Sequence, residues 1–247
     1  MPETGYFLEV HDVVKKFGHV RALDGVSLYA SQGEILAIVG DNGAGKSTLI
    51  KILSGVLVPD EGRIVIDGKS YTALTPKTAL KAGISTVYQD LALANSRDVA
   101  ANIFLGRELT KGIFLDQKRM YAQAEQLIRS LGINIPDVRM PVEVLSGGQR
   151  QGTAVARAVH QEGKFFIFDE PTAAMGLQET AAVMRLIKRL AHQGYGVIII
   201  SHNLPQVFEI SDRICVMRHG KVVGIVNTAE TDMEETVAMI TGVVKIS

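Results

Sequence analysis

The chain has 247 residues, 47% of them apolar and 21% charged, enough material for one large domain or two small ones around a substantial core. Lysine plus arginine and aspartate plus glutamate stand at 26 each, so no global excess of positive charge points to a polyanion partner, and nucleic acid is not expected. No apolar run approaches the roughly 18 residues of a membrane span, the first residues lack a basic and then apolar leader, and the single Cys215 excludes an internal disulfide, so a cytoplasmic chain is expected.

In chain order, residues 7–13 and 26–30 alternate apolar and polar side chains, as half-buried strands do, and 63–67 repeat the pattern. They predict an antiparallel layer. The wholly apolar Ile35-Leu36-Ala37-Ile38-Val39 reads instead as a strand buried on both faces, followed by a helix beginning near Lys46. Further apolar strands at 84–88, 165–168 and 197–200, with a helical pattern at 179–191 between the last two, have the spacing of a parallel α/β sheet. From about 98 to 160 helical periodicity replaces strands, at 99–105, 117–131 and 148–160. One domain over 1–247 is therefore expected, with an α/β core at about 1–88 and 161–247 and a helical subdomain inserted at about 89–160. A hairpin around Arg218-His219-Gly220-Lys221 and a helix at 233–240 close the chain, and Cys215 reads as a buried structural residue.

Gly40-Asp41-Asn42-Gly43-Ala44-Gly45-Lys46-Ser47-Thr48 matches the phosphate loop G-x-x-x-x-G-K-[ST] in its required place after a strand. The glycines let successive amides turn inward on phosphate oxygens. Lys46 reaches the β- and γ-phosphates, Ser47 offers its hydroxyl to Mg²⁺, and the helix N-terminus adds its positive end. The buried strand Phe165-Phe166-Ile167-Phe168 ends in Asp169-Glu170, at the sheet end where ligands of open α/β sheets bind. A structural cap for Thr172 is the bland alternative; with a phosphate loop upstream, Asp169 is expected to serve Mg²⁺ and Glu170 to orient the attacking water. Leu145-Ser146-Gly147-Gly148-Gln149 opens a helix with Ser146 as N-cap and two glycines that leave amides uncovered, a second anion site.

A phosphate loop, this glycine pair and an acidic strand end, in that order with a helical insertion between the first two, resemble the ATP-binding cassette family, whose signature is LSGGQ. The resemblance covers essentially the whole chain. It implies a P-loop core of that type and ATP hydrolysis with Mg²⁺. It further implies that Ser146, Gly147, Gly148 and Gln149 close over the γ-phosphate held by a second copy of the chain. Gln89, in Val87-Tyr88-Gln89-Asp90, resembles the family's Q-loop glutamine, which touches Mg²⁺ and the attacking water and reports to the membrane subunit. His202 resembles the switch histidine that meets the γ-phosphate, and Phe17 stands where the family stacks an aromatic on adenine. Taken singly, a strand-end Gln is usually just a solvated residue and a lone His after a strand is ordinarily structural, and core packing rivals the stacking role of Phe17.

Two features depart from that pattern. After Glu170-Pro171-Thr172 the family's loop commonly ends in Leu-Asp, whereas this chain has Ala173-Ala174-Met175-Gly176, which puts the loop's cross-dimer contact in doubt. Gly152 lies inside the signature helix, where glycine costs about 1 kcal/mol relative to alanine.

The wording Tyr88-Gln89-Asp90-Leu91, Asn102-Ile103-Phe104-Leu105-Gly106-Arg107-Glu108 and Ser201-His202-Asn203-Leu204, together with the altered loop, looks like monosaccharide importers of the ribose and fructose type in single-cassette form. The resemblance implies an ATPase subunit peripheral to the cytoplasmic face of the membrane, paired with transmembrane permease chains and served indirectly by an extracytoplasmic solute-binding protein. A soluble cassette ATPase acting on ribosomes or DNA is the alternative.

Overall fold

Period-two side-chain alternation decides what each face of a strand meets, and here it sorts the molecule into layers. The computed structural model describes residues 5–173 and 175–243, so Ala174 of the altered loop and most of the N-terminal segment read for a leader lie outside the described residues. The elements run β1 (Leu8–Phe17), β2 (Val20–Ala30), β3 (Ile35–Val39), α1 (Lys46–Leu53), β4 (Glu61–Ile66), β5 (Lys69–Tyr71), α2 (Pro76–Lys81), β6 (Ile84–Val87) and α3 (Val99–Phe104). They continue with β7 (Thr110–Lys111), β8 (Phe114–Leu115), α4 (Gln117–Ser130), α5 (Gly147–His160), β9 (Phe165–Asp169) and α6 (Leu177–His192). Last come β10 (Gly196–Ile200), α7 (Leu204–Ile210), β11 (Arg213–Arg218), β12 (Lys221–Asn227) and α8 (Met233–Thr241).

A six-stranded sheet in the order β12-β11-β3-β10-β9-β6 forms the centre, parallel except for the edge strand β12. Every residue of β3 is buried. Leu36 and Ile38 face the second sheet, β2-β1-β4-β5, and helix α1, while Ile35, Ala37 and Val39 face α5, α6 and α7. A strand covered on both sides has no polar face to show, which is why its sequence reads as unbroken apolar. The antiparallel sheet matches the layer expected from the alternating segments. Region 98–160 departs slightly from expectation, because β7 and β8 form a two-stranded hairpin there. Two-residue strands are too short to carry a period, and Ile113 and Phe114 at the hairpin are exposed.

Register places the loops. Ile200 lies opposite Ile38 on one side and Asp169 on the other, and Val87 lies opposite Phe168. The chain therefore leaves β3, β10, β9 and β6 at one end of the sheet, as the phosphate loop, Ser201-His202, Glu170 and Tyr88-Gln89.

Candidate functional site

The phosphate loop is shaped by what a Cβ would strike. Gly40, at φ +150°, lies so close to the Met217 carbonyl that any side chain would collide with it. At Gly45, φ +103°, a Cβ would stand 2.7 Å from the Ala22 carbonyl oxygen. Gly45 is also the N-cap of α1 and offers no capping side chain, which leaves the first-turn amides for a ligand. Lys46 folds back across the loop, donating to the carbonyl oxygens of Gly40 (2.6 Å) and Asp41 (3.0 Å). Burial lowers its pKa, opposed by the charges of Glu170, Asp41 and Asp169.

Glu170 takes a left-handed backbone conformation, φ +50°, and its N–H donates to the Ile200 carbonyl at 3.0 Å. That turn at the end of β9 brings Glu170 Oε2 to 2.9 Å from His202 Nδ1 at the end of β10. The adjoining Asp169 is half-buried, and its pKa is raised first by burial and then by the Glu170 charge, with Lys46 and Lys51 opposing. Two adjacent carboxylates short of solvent favour a cation beside them. Ser47, Gln89 and Asp169 carry hard oxygen donors of the kind that could hold Mg²⁺. Among the described residues no cluster of three His, Cys, Asp or Glu could hold a metal alone.

The phosphate loop, Asp169, Glu170 and His202 are brought together, and Gln89 lies exposed at the same sheet end. Tyr88 ties the Gln89 loop to α1, its hydroxyl donating to Ser54 Oγ at 2.7 Å. The rival role for Thr172 is not seen, because its hydroxyl donates to Gln206 Oε1. Phe17 is 47% exposed, which argues against core packing. It sits at the β1–β2 turn, paired with Val20 on the hairpin arm whose Ala22 carbonyl abuts Gly45.

Ser146 caps α5. Its hydroxyl accepts from Gln149 N–H, and Gln149 Oε1 accepts Ser146 N–H at 3.0 Å in return. The expectation of two open amides needs correcting: Gly147 N–H donates to Glu179 Oε1 at 3.1 Å, while Gly148 N–H has no partner among the described residues. These residues make no hydrogen bond to the chain's own phosphate loop. Sequence reasoning missed Glu179, although its place three residues after the helix-opening Gly176 is a capping position. It also missed Arg157 of α5, which donates to the carbonyls of Leu91 (2.7 Å) and Ala92 (2.9 Å) and so clamps the loop that follows Gln89.

A family model described as ABC transporter matches residues 23–173. A xylose/arabinose import ATP-binding protein of Sulfolobus acidocaldarius is 49% identical over 95% of this chain and 93% of its own length. A fructose import ATP-binding protein of Rhizobium meliloti is 45% identical over 95% and 94%. A ribose import ATP-binding protein of Escherichia coli O157:H7 is 42% identical over 95% of this chain, which spans 46% of that longer protein. Among solved structures, a nucleotide-free ATP-binding cassette superposes with a TM-score of 0.81 at 26% identity, covering 96% of this chain and 95% of that one. A dimeric bacterial ABC transporter cassette gives 0.74 at 25% identity, covering 90% and 98%.

Proposed function

The chain belongs to the ABC transporter family, and from that membership we propose that it is the ATP-hydrolysing subunit of an importer that takes up a monosaccharide through separate membrane permease chains. The observation that carries the proposal is the convergence at one sheet end of the phosphate loop, Asp169, and Glu170 with His202 2.9 Å away. The named relatives are all import ATP-binding proteins, which lends no support to a ribosome- or DNA-acting alternative.

Phe17 stacks on adenine, and residues 40–48 cradle the phosphates. On nucleotide binding Lys46 gives up the carbonyls of Gly40 and Asp41 for the β- and γ-phosphates. Glu170 holds the attacking water in line with the γ-phosphorus, and His202 donates to the γ-phosphate while its contact with Glu170 keeps that carboxylate aimed. Ser47, Gln89 and Asp169 would hold Mg²⁺, which when bound neutralises charge on the phosphate oxygens. Ser146 to Gln149 complete the site of a second copy, in keeping with the dimeric cassette similar to this chain.

No helix among the described residues is long and apolar enough to cross a membrane, which fits a subunit peripheral to its cytoplasmic face. The single domain divides into an α/β core, 1–88 and 161–247, and a helical subdomain, 89–160. Between them lies a cleft of about 360 Å³ whose lining includes Val56, Leu80, Tyr88, Leu105, Ala154 and Arg157, a seat for the permease. An extracytoplasmic binding protein then selects the sugar.

Reconstitution in proteoliposomes with a monosaccharide permease and its solute-binding protein tests this. ATP inside should drive uptake of a labelled pentose or hexose, lost with Glu170→Gln; an ATPase indifferent to those partners, with no uptake, would overturn it.

A further inference from the structure

One carboxylate joins parts of the chain that the proposed function assigns to two different nucleotide sites. Glu179, in the first turn of α6, accepts Gly147 N–H on Oε1 at 3.1 Å and Gly176 N–H on Oε2 at 3.3 Å. Gly147 is the first residue of α5, and Gly176, which has no side chain to cap with, is the N-cap of α6. Capping α6 needs only the second of these bonds. The first reaches across 32 positions of sequence to the glycine pair.

Those glycines are shaped to Glu179. A Cβ at Gly147 would stand 3.3 Å from Glu179 Oε2, and one at Gly148 3.5 Å from the Glu179 Cα. The side chain thus lies between two helix N-termini, in the positive field of both, with an amide bonded to each oxygen. Within this anchored turn the Ser146 hydroxyl accepts from Gln149 N–H, and Gly148 N–H is left without a partner among the described residues.

We propose that Glu179 is a positioning residue of the ATPase cycle. By holding Gly147 and Gly176 on one carboxylate, it fixes the Ser146 to Gln149 turn against the segment that leaves Asp169 and Glu170. The half-site a chain lends to its partner then moves with the half-site it keeps. This rests on the reading that Ser146 to Gln149 act on the partner's nucleotide.

The test uses the full chain carrying Glu170→Gln, which should form ATP-dependent dimers measurable by light scattering. Adding Glu179→Gln, which preserves size but places an amide group against one of the two N–H donors, should weaken that dimer about tenfold, as loss of one charge-assisted hydrogen bond would. Binding of a fluorescent ATP analogue to the monomer should change less than about twofold on the same scale. In an otherwise unaltered chain, Glu179→Gln should lower kcat with KM for ATP little changed. Equal dimerisation with and without Glu179→Gln overturns the inference and leaves the trans-acting signature intact. So does a loss of dimer matched by an equal loss of monomer ATP affinity and of Tm, since that is the mark of a merely structural residue. If Glu170→Gln alone fails to dimerise with ATP, the reading beneath the inference fails with it.

Discussion

Glu170 shows what the site asks of single residues. A left-handed backbone at a side-chain-bearing position costs about 1 kcal/mol, and here it is held by the N–H bond to Ile200 and turns the carboxylate onto His202. If that carboxylate orients the water, Glu170→Gln should still bind ATP but hydrolyse it at least about 10²-fold more slowly, and phosphate release in a single turnover measures this. Lys46→Ala should weaken nucleotide binding itself, read by titration with a fluorescent analogue, because the cradle then lacks its mobile cation. Asp169 carries a different cost. Burial and the Glu170 charge raise its pKa above the ordinary 3.8, so its proton is bound more tightly in the folded chain than in the unfolded one. Its ionised form therefore lowers stability, with no effect well below that ordinary value and full effect once pH exceeds the folded pKa. At neutral pH Asp169→Asn should raise the Tm of the nucleotide-free chain, with the gain fading toward about pH 4, while hydrolysis falls. A Tm that is unchanged or lower at neutral pH would show that the carboxylate is not held at a cost.

Helix α5 does more than begin with the signature. Through Arg157 it grips the carbonyls of Leu91 and Ala92, and through Arg150 it reaches Asn95, so the loop that follows Gln89 is fastened to the helix that Ser146 caps. Its glycine at 152 is explained by packing: a Cβ there would stand 2.6 Å from Ile133 Cγ2. Gly152→Ala ordinarily gains about 1 kcal/mol in a helix, but overpacking costs about 1–3 kcal/mol. Thermal unfolding should show the single variant less stable, with Ile133→Ala relieving the clash in a double-mutant cycle; a more stable single variant would mean that α5 has room to spare. These contacts mark where the sequence stopped being legible. Gly40 to Thr48 could be read because a backbone cradle needs fixed spacing, β3 and β9 because strands buried on both faces carry no polar residue, and Asp169-Glu170 because a carboxylate pair closing such a strand is conspicuous. Glu179 against Gly147 and Ile133 against Gly152 could not, since each joins segments whose proximity no local period encodes. The β7–β8 hairpin was too short to register, and Asn102, wholly buried and bonded to Ala94, looks on sequence like any polar helical residue.

At the scale of the molecule, the sheet end and the cleft form two faces joined by one loop. The cleft takes its walls from both parts of the chain: Pro76, Ala79 and Leu80 of α2 and Thr86 of β6 from the α/β core, Leu105 and the α5 residues Ala154 and Arg157 from the helical part. Asp90, Leu91 and Ala92 lie between, one residue beyond Gln89 and under the Arg157 clamp. A permease element seated there, as proposed, would press on the loop that begins at Gln89, which would give chemistry at one face a route to motion at the other. The hydroxyls of Ser85 and Thr86, residues that line the cleft, are buried and have no hydrogen-bond partner among the described residues. Val56 and Leu105 stand 54% and 48% exposed at this cleft, apolar surface that a free subunit gains nothing by showing. Val56→Glu and Leu105→Glu should therefore leave stability within about 0.5 kcal/mol and ATP affinity unchanged, because neither residue touches the cradle. Both should abolish co-purification with the permease and sugar uptake in proteoliposomes, since burying an unpaired carboxylate at the contact is costly. Retained co-purification would move the permease to another face, and the Arg157 clamp would then steady the Gln89 loop without carrying any signal from the membrane.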